Sequence, residues 1–154
     1  MSSIGKLFAR TALLWTLALP TIGSAGPTAI VIHGGAGTIQ RANMSAEVEA
    51  QYRQTLTAAV SAGHQVLVRG GKSQDAVIAA ILVMEDSPLF NAARGVVLTN
   101  QGEAELDASI MLGENLNAGA VTGVKRVRNP ILLAERVMLA SPHVMLMGAG
   151  AEAF

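Results

Sequence analysis

Near the start of this chain an apolar run stops abruptly in glycine: Ala29-Ile30-Val31-Ile32 is followed by His33-Gly34-Gly35-Ala36-Gly37. Ala29–Ile32 is short and largely β-branched, so it reads as a buried strand. The glycines that follow admit positive φ and let the backbone come close to a neighbour. A strand that delivers a glycine-rich loop brings backbone N–H groups to a sheet edge, where a site can be built. The same pattern also makes a plain tight turn.

Two familiar uses of such a loop fail on spacing. A phosphate cradle of the G-x-G-x-x-G kind begins at Gly35-Ala36-Gly37, but Gln40 stands where the third glycine belongs. An esterase oxyanion loop requires a G-x-S-x-G elbow elsewhere, and the sequence has none. Gly71-Lys72-Ser73 is no Walker loop either, because Val66 occupies the first glycine position and the tripeptide joins two helical patterns.

The first 25 residues read as an export leader. Lys6 and Arg10 form a basic start, Thr11 to Leu19 is too short to span a bilayer, and Gly23-Ser24-Ala25 offers small residues for cleavage after Ala25. The expectation is residues 1–25 as signal peptide and 26–154 as the exported portion, periplasmic or secreted, with no membrane attachment after cleavage. Eleven basic residues balance eleven acidic ones, so no charge excess points to nucleic acid. Cysteine is absent, which excludes disulfides and thiolate metal sites.

The rest of the chain reads as alternating helices and strands. Residues 45–70 form an amphipathic helix capped by Ser45, with Val48, Tyr52, Leu56, Val60, Gly63 and Leu67 on one stripe and Gly70-Gly71 as terminator. Ser73 caps a second helix over Gln74–Met84. Pro88 ends it, and a loop runs to Gly95 that is longer than a bare turn needs. Its backbone carbonyls offer a hard cation oxygen ligands, though a compact Ω-type connection explains it as well. Val96–Thr99 is a strand, turned by Asn100-Gln101-Gly102 into a hairpin. Glu103, Glu105 and Asp107 alternate on the next strand, as an exposed strand end or a divalent site. That strand continues to Leu112, Ala118–Val127 is another, and Asn129-Pro130 starts a helix to about Ala140. Val144–Met147 is a last short strand. Gly148-Ala149-Gly150-Ala151-Glu152-Ala153 then fits G-x-G-x-x-A, but without a following helix or a distant acidic residue.

Taken together, Ile32–Gly37, Ser87-Pro88-Leu89-Phe90-Asn91-Ala92, Glu105-Leu106-Asp107-Ala108, Ala118–Val121 through Arg128-Asn129-Pro130, and Ser141–Met145 resemble the N-terminal part of the plant-type asparaginases, also called isoaspartyl peptidases. These are threonine-dependent N-terminal-nucleophile (Ntn) hydrolases. The resemblance covers Ala29–Phe154 and implies an α+β fold, a four-layer αββα sandwich of the Ntn-hydrolase type, of which this chain supplies roughly the N-terminal half. It implies autocatalytic cleavage into α and β subunits, with the nucleophilic Thr at the start of β. The substrates are β-aspartyl dipeptides and the side-chain amide of L-asparagine, and paired αβ units make an (αβ)2 assembly. Thr38 lacks the family's Thr-Val-Gly sequel, and Thr122 follows Val121 where glycine precedes the scissile bond. No catalytic nucleophile is therefore expected here, and these residues alone are expected to be inactive without the β subunit.

By the same resemblance, His33, Gly34 and Gly35 lie beside the nucleophile, and Asn91 helps fix that loop. No cofactor serves catalysis. A structural sodium is implied on the carbonyls of Met84, Glu85, Ser87, Phe90, Ala92 and Arg94. One departure stands out: Ala93 replaces the family's first glycine in Asn-Ala-Gly-x-Gly, and a positive φ there would cost about 1 kcal/mol or more. Two other readings are open, a non-enzymatic half-domain that binds a partner and a small nucleotide-binding domain built on Gly148–Ala153.

Overall fold

The computed structural model describes residues 26–35 and 41–154. The expected leader lies outside the described residues, as do Ala36, Gly37, Thr38 and Gln40. Among the described residues no helix is long and apolar enough to cross a membrane.

The chain forms a helical pair and a small sheet backed by a third helix. Helix α1 spans Ala46–Val68, and Ser45 caps it by accepting the Val48 N–H at 3.3 Å. Its end is a Schellman motif. Gly70 turns at φ +77, its N–H reaches the Leu67 carbonyl, and the Gly71 N–H reaches the Val66 carbonyl. Helix α2, Ser73–Glu85, folds back against α1. Small residues set that approach: Ala59, Ala76 and Ala80 are buried, and a Cβ on Gly63 would strike Ile30, the Ala76 carbonyl and Ala80. Ser73 is the first helical residue and not the cap, which is Lys72 with no side-chain hydrogen bond.

Strand β1, Leu106–Met111, pairs antiparallel with β2, Ala118–Val124, and β3, Met145–Met147, joins β2 in parallel, giving the order β1-β2-β3. Helix α3, Pro130–Ala140, is the crossover between β2 and β3 and packs on one face of the sheet. Ile110, Val121, Val124, Ile131, Ala134, Val137 and Met138 fill the space between, joined by Ile78 of α2. Gly119 is required there, because a Cβ would collide with the Ala134 carbonyl and the Met138 backbone nitrogen.

Where β1 meets β2 the register slips between Leu106 and Ala108. Asp107 faces two residues of β2 there: its Oδ1 accepts the Thr122 hydroxyl at 2.7 Å and the Gly123 N–H at 2.9 Å. Gly123 takes φ +62, as a bulge glycine does. These two donors hold the Asp107 carboxyl below its ordinary value. Beyond the bulge β2 stops short of the expected Val127. The N–H groups of Lys125 and Arg126 turn instead to the Glu152 carboxylate, at 2.5 and 2.9 Å.

Other strand expectations fail for want of a partner. Ala29–Ile32 is extended but joins no ladder, and Val31 is 92% exposed. Ile30 and Ile32 are half-buried, Ile30 at the notch of Gly63. Val96–Thr99 is likewise extended without a ladder. The turn that follows does close, through Thr99 N–H to the Glu103 carbonyl at 2.9 Å, but β1 then pairs with β2. The stretch after β3, expected to be non-helical, forms a six-residue helix α4, Gly148–Ala153, with Ala151 buried.

Two outcomes follow from this packing. Gly119→Ala lowers unfolding free energy by about 1–3 kcal/mol, because backbone atoms cannot yield to the new methyl, whereas Gly113→Ala, where a Cβ meets nothing within 4 Å, changes it by less than about 0.5 kcal/mol. Urea midpoints measure both. Because folded Asp107 binds a proton less readily than the unfolded chain does, its contribution is present above the ordinary carboxylate range and is lost as pH falls through it. Asp107→Asn therefore flattens the decline of the urea midpoint between about pH 5 and pH 2.

Candidate functional site

The loop leaving α2 folds tightly on itself. The Ser87 N–H returns to the Met84 carbonyl at 3.2 Å, the Leu89 N–H to Ser87 Oγ at 3.2 Å, the Ala92 N–H to the Phe90 carbonyl at 2.8 Å, and the Gly95 N–H to the Ala92 carbonyl at 3.2 Å. Gly95 has no alternative residue, since a Cβ would overlap the carbonyls of Pro88 and Phe90. Asn91 Oδ1 accepts the Val97 N–H at 2.9 Å and so fixes how the loop exits.

Phe90 connects this loop to the first glycine run. Its buried ring meets Tyr52 of α1 edge-on, with centroids 5.6 Å apart. A Cβ on Gly34 would stand 3.0 Å from Leu56 and 3.5 Å from Phe90, so glycine lets the His33-Gly34-Gly35 backbone settle against them. Gly35 takes φ +116, and its N–H donates to His33 Nδ1 at 3.2 Å.

One cavity of about 300 Å³ results, bordered by His33, Gly34, Gly35 and Asn91 together with Met84, Phe90 and Ala92. All four proposed nucleophile-supporting residues thus meet, though 56 positions separate Gly35 from Asn91. Of the other residues expected to offer carbonyls, Glu85 and Arg94 border a second cleft of about 500 Å³ shared with Lys125 and Arg128, and Ser87 is buried. Sequence reasoning placed Tyr52 on the helix stripe and missed its place on the cavity wall.

The chain matches the family model described as asparaginase over residues 26–154. It belongs to this asparaginase family. It is 49% identical over 129 residues to the isoaspartyl peptidase of Escherichia coli, covering 84% of this chain and 40% of that protein. It is 48% identical over 126 residues to the plant-type L-asparaginase of Pyrococcus abyssi, covering 82% and 40%. Against the isoaspartyl peptidase/L-asparaginase of Bos taurus it is 44% identical over 125 residues, covering 81% and 39%. The chain therefore spans about 40% of the length of the curated relatives it matches.

Two further features of this asparaginase-family chain concern groups that the sequence singled out. The alternating carboxylates form no metal cluster among the described residues. Lys125 Nζ bridges Glu103 and Glu105, which precede β1, and Asp107 is engaged at the bulge. The two glutamates raise the lysine's affinity for its proton. Thr122 lies within β2, its hydroxyl given to Asp107.

The cap expected of Asn129 comes from elsewhere. Asn129 makes no side-chain cap bond to α3; its Nδ2 donates to Glu85, whose other oxygen accepts the Ile131 N–H, both at 3.0 Å. Burial raises the Glu85 carboxyl above its ordinary value, opposed by these two donors. A hint was available in the sequence: an acidic residue in the last turn of a helix stands at the wrong end of its own dipole and needs a partner elsewhere.

Ala93 does adopt the positive φ that glycine favours, at +44, and its methyl is buried against the core. Strain of about 1–2 kcal/mol is offset by burial of the methyl, about 0.8 kcal/mol, and by reduced freedom of the unfolded chain, about 0.4–1 kcal/mol. Ala93→Gly therefore changes stability by less than about 1 kcal/mol, whereas Ala93→Val, β-branched and larger, loses about 2 kcal/mol or more. Thermal or urea unfolding of the two variants checks the pair.

Proposed function

We propose that residues 26–154 are the nucleophile-supporting part of an isoaspartyl peptidase/L-asparaginase that hydrolyses β-aspartyl dipeptides and the side-chain amide of L-asparagine. The observation that carries this reading is the meeting of His33-Gly34-Gly35 and Asn91 at one cavity, in a chain of the asparaginase family. The nucleophile is a Thr at the start of a partner β subunit, freed by autocatalytic cleavage. Its own amine takes the hydroxyl proton, which a weakly acidic alcohol needs before it attacks an amide. The hydroxyl oxygen bonds to the amide carbon, and the C–N bond breaks as the proton held by the amine passes to the departing ammonia or amino acid. The acyl-enzyme ester left behind is hydrolysed by water, which restores the hydroxyl and releases aspartate. The residues described here contribute position: the glycine loop and Asn91 fix backbone beside the nucleophile.

The architecture in this reading is the αββα sandwich, with the β subunit stacked on the sheet face turned away from α3 and two αβ units paired. Support comes from that face. Met111, Met145 and Met147 are 60%, 58% and 72% exposed, and their ladder partners Ala118, Ala120 and Thr122 alternate with the residues that meet α3. The leader, residues 1–25, directs export to the periplasm or beyond.

A structural sodium belongs to the same reading. The carbonyls of Met84, Glu85, Ser87, Phe90, Ala92 and Arg94 would hold it, and an all-oxygen donor set suits a hard cation. The tightly closed loop fits: Gly95 lets the Pro88 and Phe90 carbonyls crowd its α-carbon, and the Phe90 and Ala92 carbonyls, which accept the N–H groups of Ala92 and Gly95, each have a second lone pair. The ion's contribution when bound is to fix the loop backbone.

Co-expression of residues 26–154 with the Thr-led C-terminal part of the Escherichia coli relative tests the reading. The expected result is a co-purifying complex that releases aspartate from a β-aspartyl dipeptide and from L-asparagine, with kcat reduced about tenfold to a hundredfold by Asn91→Ala through misplacement of the nucleophile. A well-formed complex that releases aspartate from neither substrate overturns it.

A further inference from the structure

Glu85 occupies two places at once. Its main chain closes α2, and its carbonyl is one of those the sodium reading uses, while its side chain leaves in another direction and ends, 3% exposed, at the start of α3. There Oε2 accepts from Asn129 Nδ2 and Oε1 from the Ile131 N–H, each at 3.0 Å, across sequence separations of 44 and 46 residues. The neighbouring residue repeats the connection: the Asp86 carboxylate holds Arg128 at 3.1 Å, and the Asp86 carbonyl accepts from Arg94 at 3.4 Å. Both carboxylate oxygens of Glu85 are thus partnered by the start of α3.

A carbonyl loop binds a cation well only if its oxygens are already in place, because the ion must give up water to enter. Outer groups that hold the donors in position therefore count in the affinity. Glu85 is such a group. Its peptide cannot rotate without dragging the carboxylate off the first turn of α3, where a free backbone N–H and the positive end of the helix dipole favour it.

We propose that Glu85 is a positioning residue for the cation loop: its carboxylate, anchored at the start of α3, holds the carbonyls of the 84–94 segment in their sodium-binding arrangement, so that sodium binding and the seating of α3 against the end of α2 favour each other. The inference rests on the sodium reading given above. Reciprocity is required, since each event strengthens the other by the same factor.

The test is a sodium titration of the full chain in choline chloride at constant ionic strength, followed by sodium-23 line broadening and by the melting temperature. The wild type is expected to show a saturating, sodium-specific response. Glu85→Ala raises the half-saturating concentration about tenfold to a hundredfold. Asn129→Ala, which lies outside the loop and removes one of the two anchors, moves it in the same direction by less. Glu85→Gln stays near the wild type, because its amide oxygen still accepts the Ile131 N–H and the Asn129 amide can turn over to offer its oxygen.

Should Glu85→Ala fail to fold, Asn129→Ala decides alone. Variants that melt lower by the same amount at every sodium concentration, with half-saturation unmoved, show a merely structural anchor and overturn the proposal. A wild type with no sodium-specific response overturns the sodium reading itself, and the proposal with it. That outcome is distinct from a wild type that responds while its variants respond identically.

Discussion

The buried carboxylate of Glu85 is the polar junction between the two parts of this molecule, beside the apolar one that Ile78 and Ala93 make in the shared core. On one side stand α1, α2 and the loop that follows; on the other, α3 and the sheet. A charge out of water costs several kcal/mol unless it is fully partnered. Here both partners come from α3's start, through Asn129 and Ile131, where the helix dipole adds to the attraction. The exposed Asp86–Arg128 pair alongside is worth at most about 1 kcal/mol, so it refines the junction and does not make it. With the end of α2 held in this way, the loop from Asp86 to Gly95 has little choice of path.

That path is what builds the candidate site. Phe90 is pressed inward against Tyr52 and Gly34, and the chain must then reverse within a few residues to leave at Val97. The reversal consumes unusual backbone: Ala93 at positive φ, Gly95 without room for a Cβ, Asn91 bonding six residues ahead. The buried methyl of Ala93 and the reduced freedom of the unfolded chain together offset its strained φ. This explains how alanine can stand where the family resemblance leads one to expect glycine. The fold tolerates the substitution because the side chain it adds points into the core.

Features that depend on neighbours in the chain were legible from sequence. Ser45 as a cap, Gly70-Gly71 as a Schellman stop and Pro130 as the first residue of α3 all act within a turn of their own position. Features that depend on distant partners were not. Ala29–Ile32 and Val96–Thr99 have strand composition, but a strand exists only with a ladder beside it, and none of the described residues supplies one. β2 ends at a bulge because Asp107, on another strand, claims Thr122 and Gly123. Asn129 has the right identity for a cap, yet Glu85 performs that task from 46 residues away. The site was legible to the same degree. His33-Gly34-Gly35 and Asn91 stood out as residue types and by family resemblance, and their meeting around Phe90 needed coordinates.

The packing is one-sided, and this bears on how a site of this kind is completed. The largest fully buried side chains, Ile131, Val121, Val124 and Val137, all lie between the sheet and α3. The opposite face shows Met111, Met145 and Met147 to water, and covering a side chain of that size contributes about 1.5–3 kcal/mol. Val31 and Val97 are exposed as well, on the two unladdered segments. Those segments flank the candidate site, one running into His33 and the other leaving from Asn91's bond to Val97. In the proposed αββα reading, a layer that paired these segments would bring its own residues to the His33–Asn91 cavity. In such an arrangement, burial of apolar surface supplies the energy that assembles the site, and the residues that do chemistry need contribute little to holding it together.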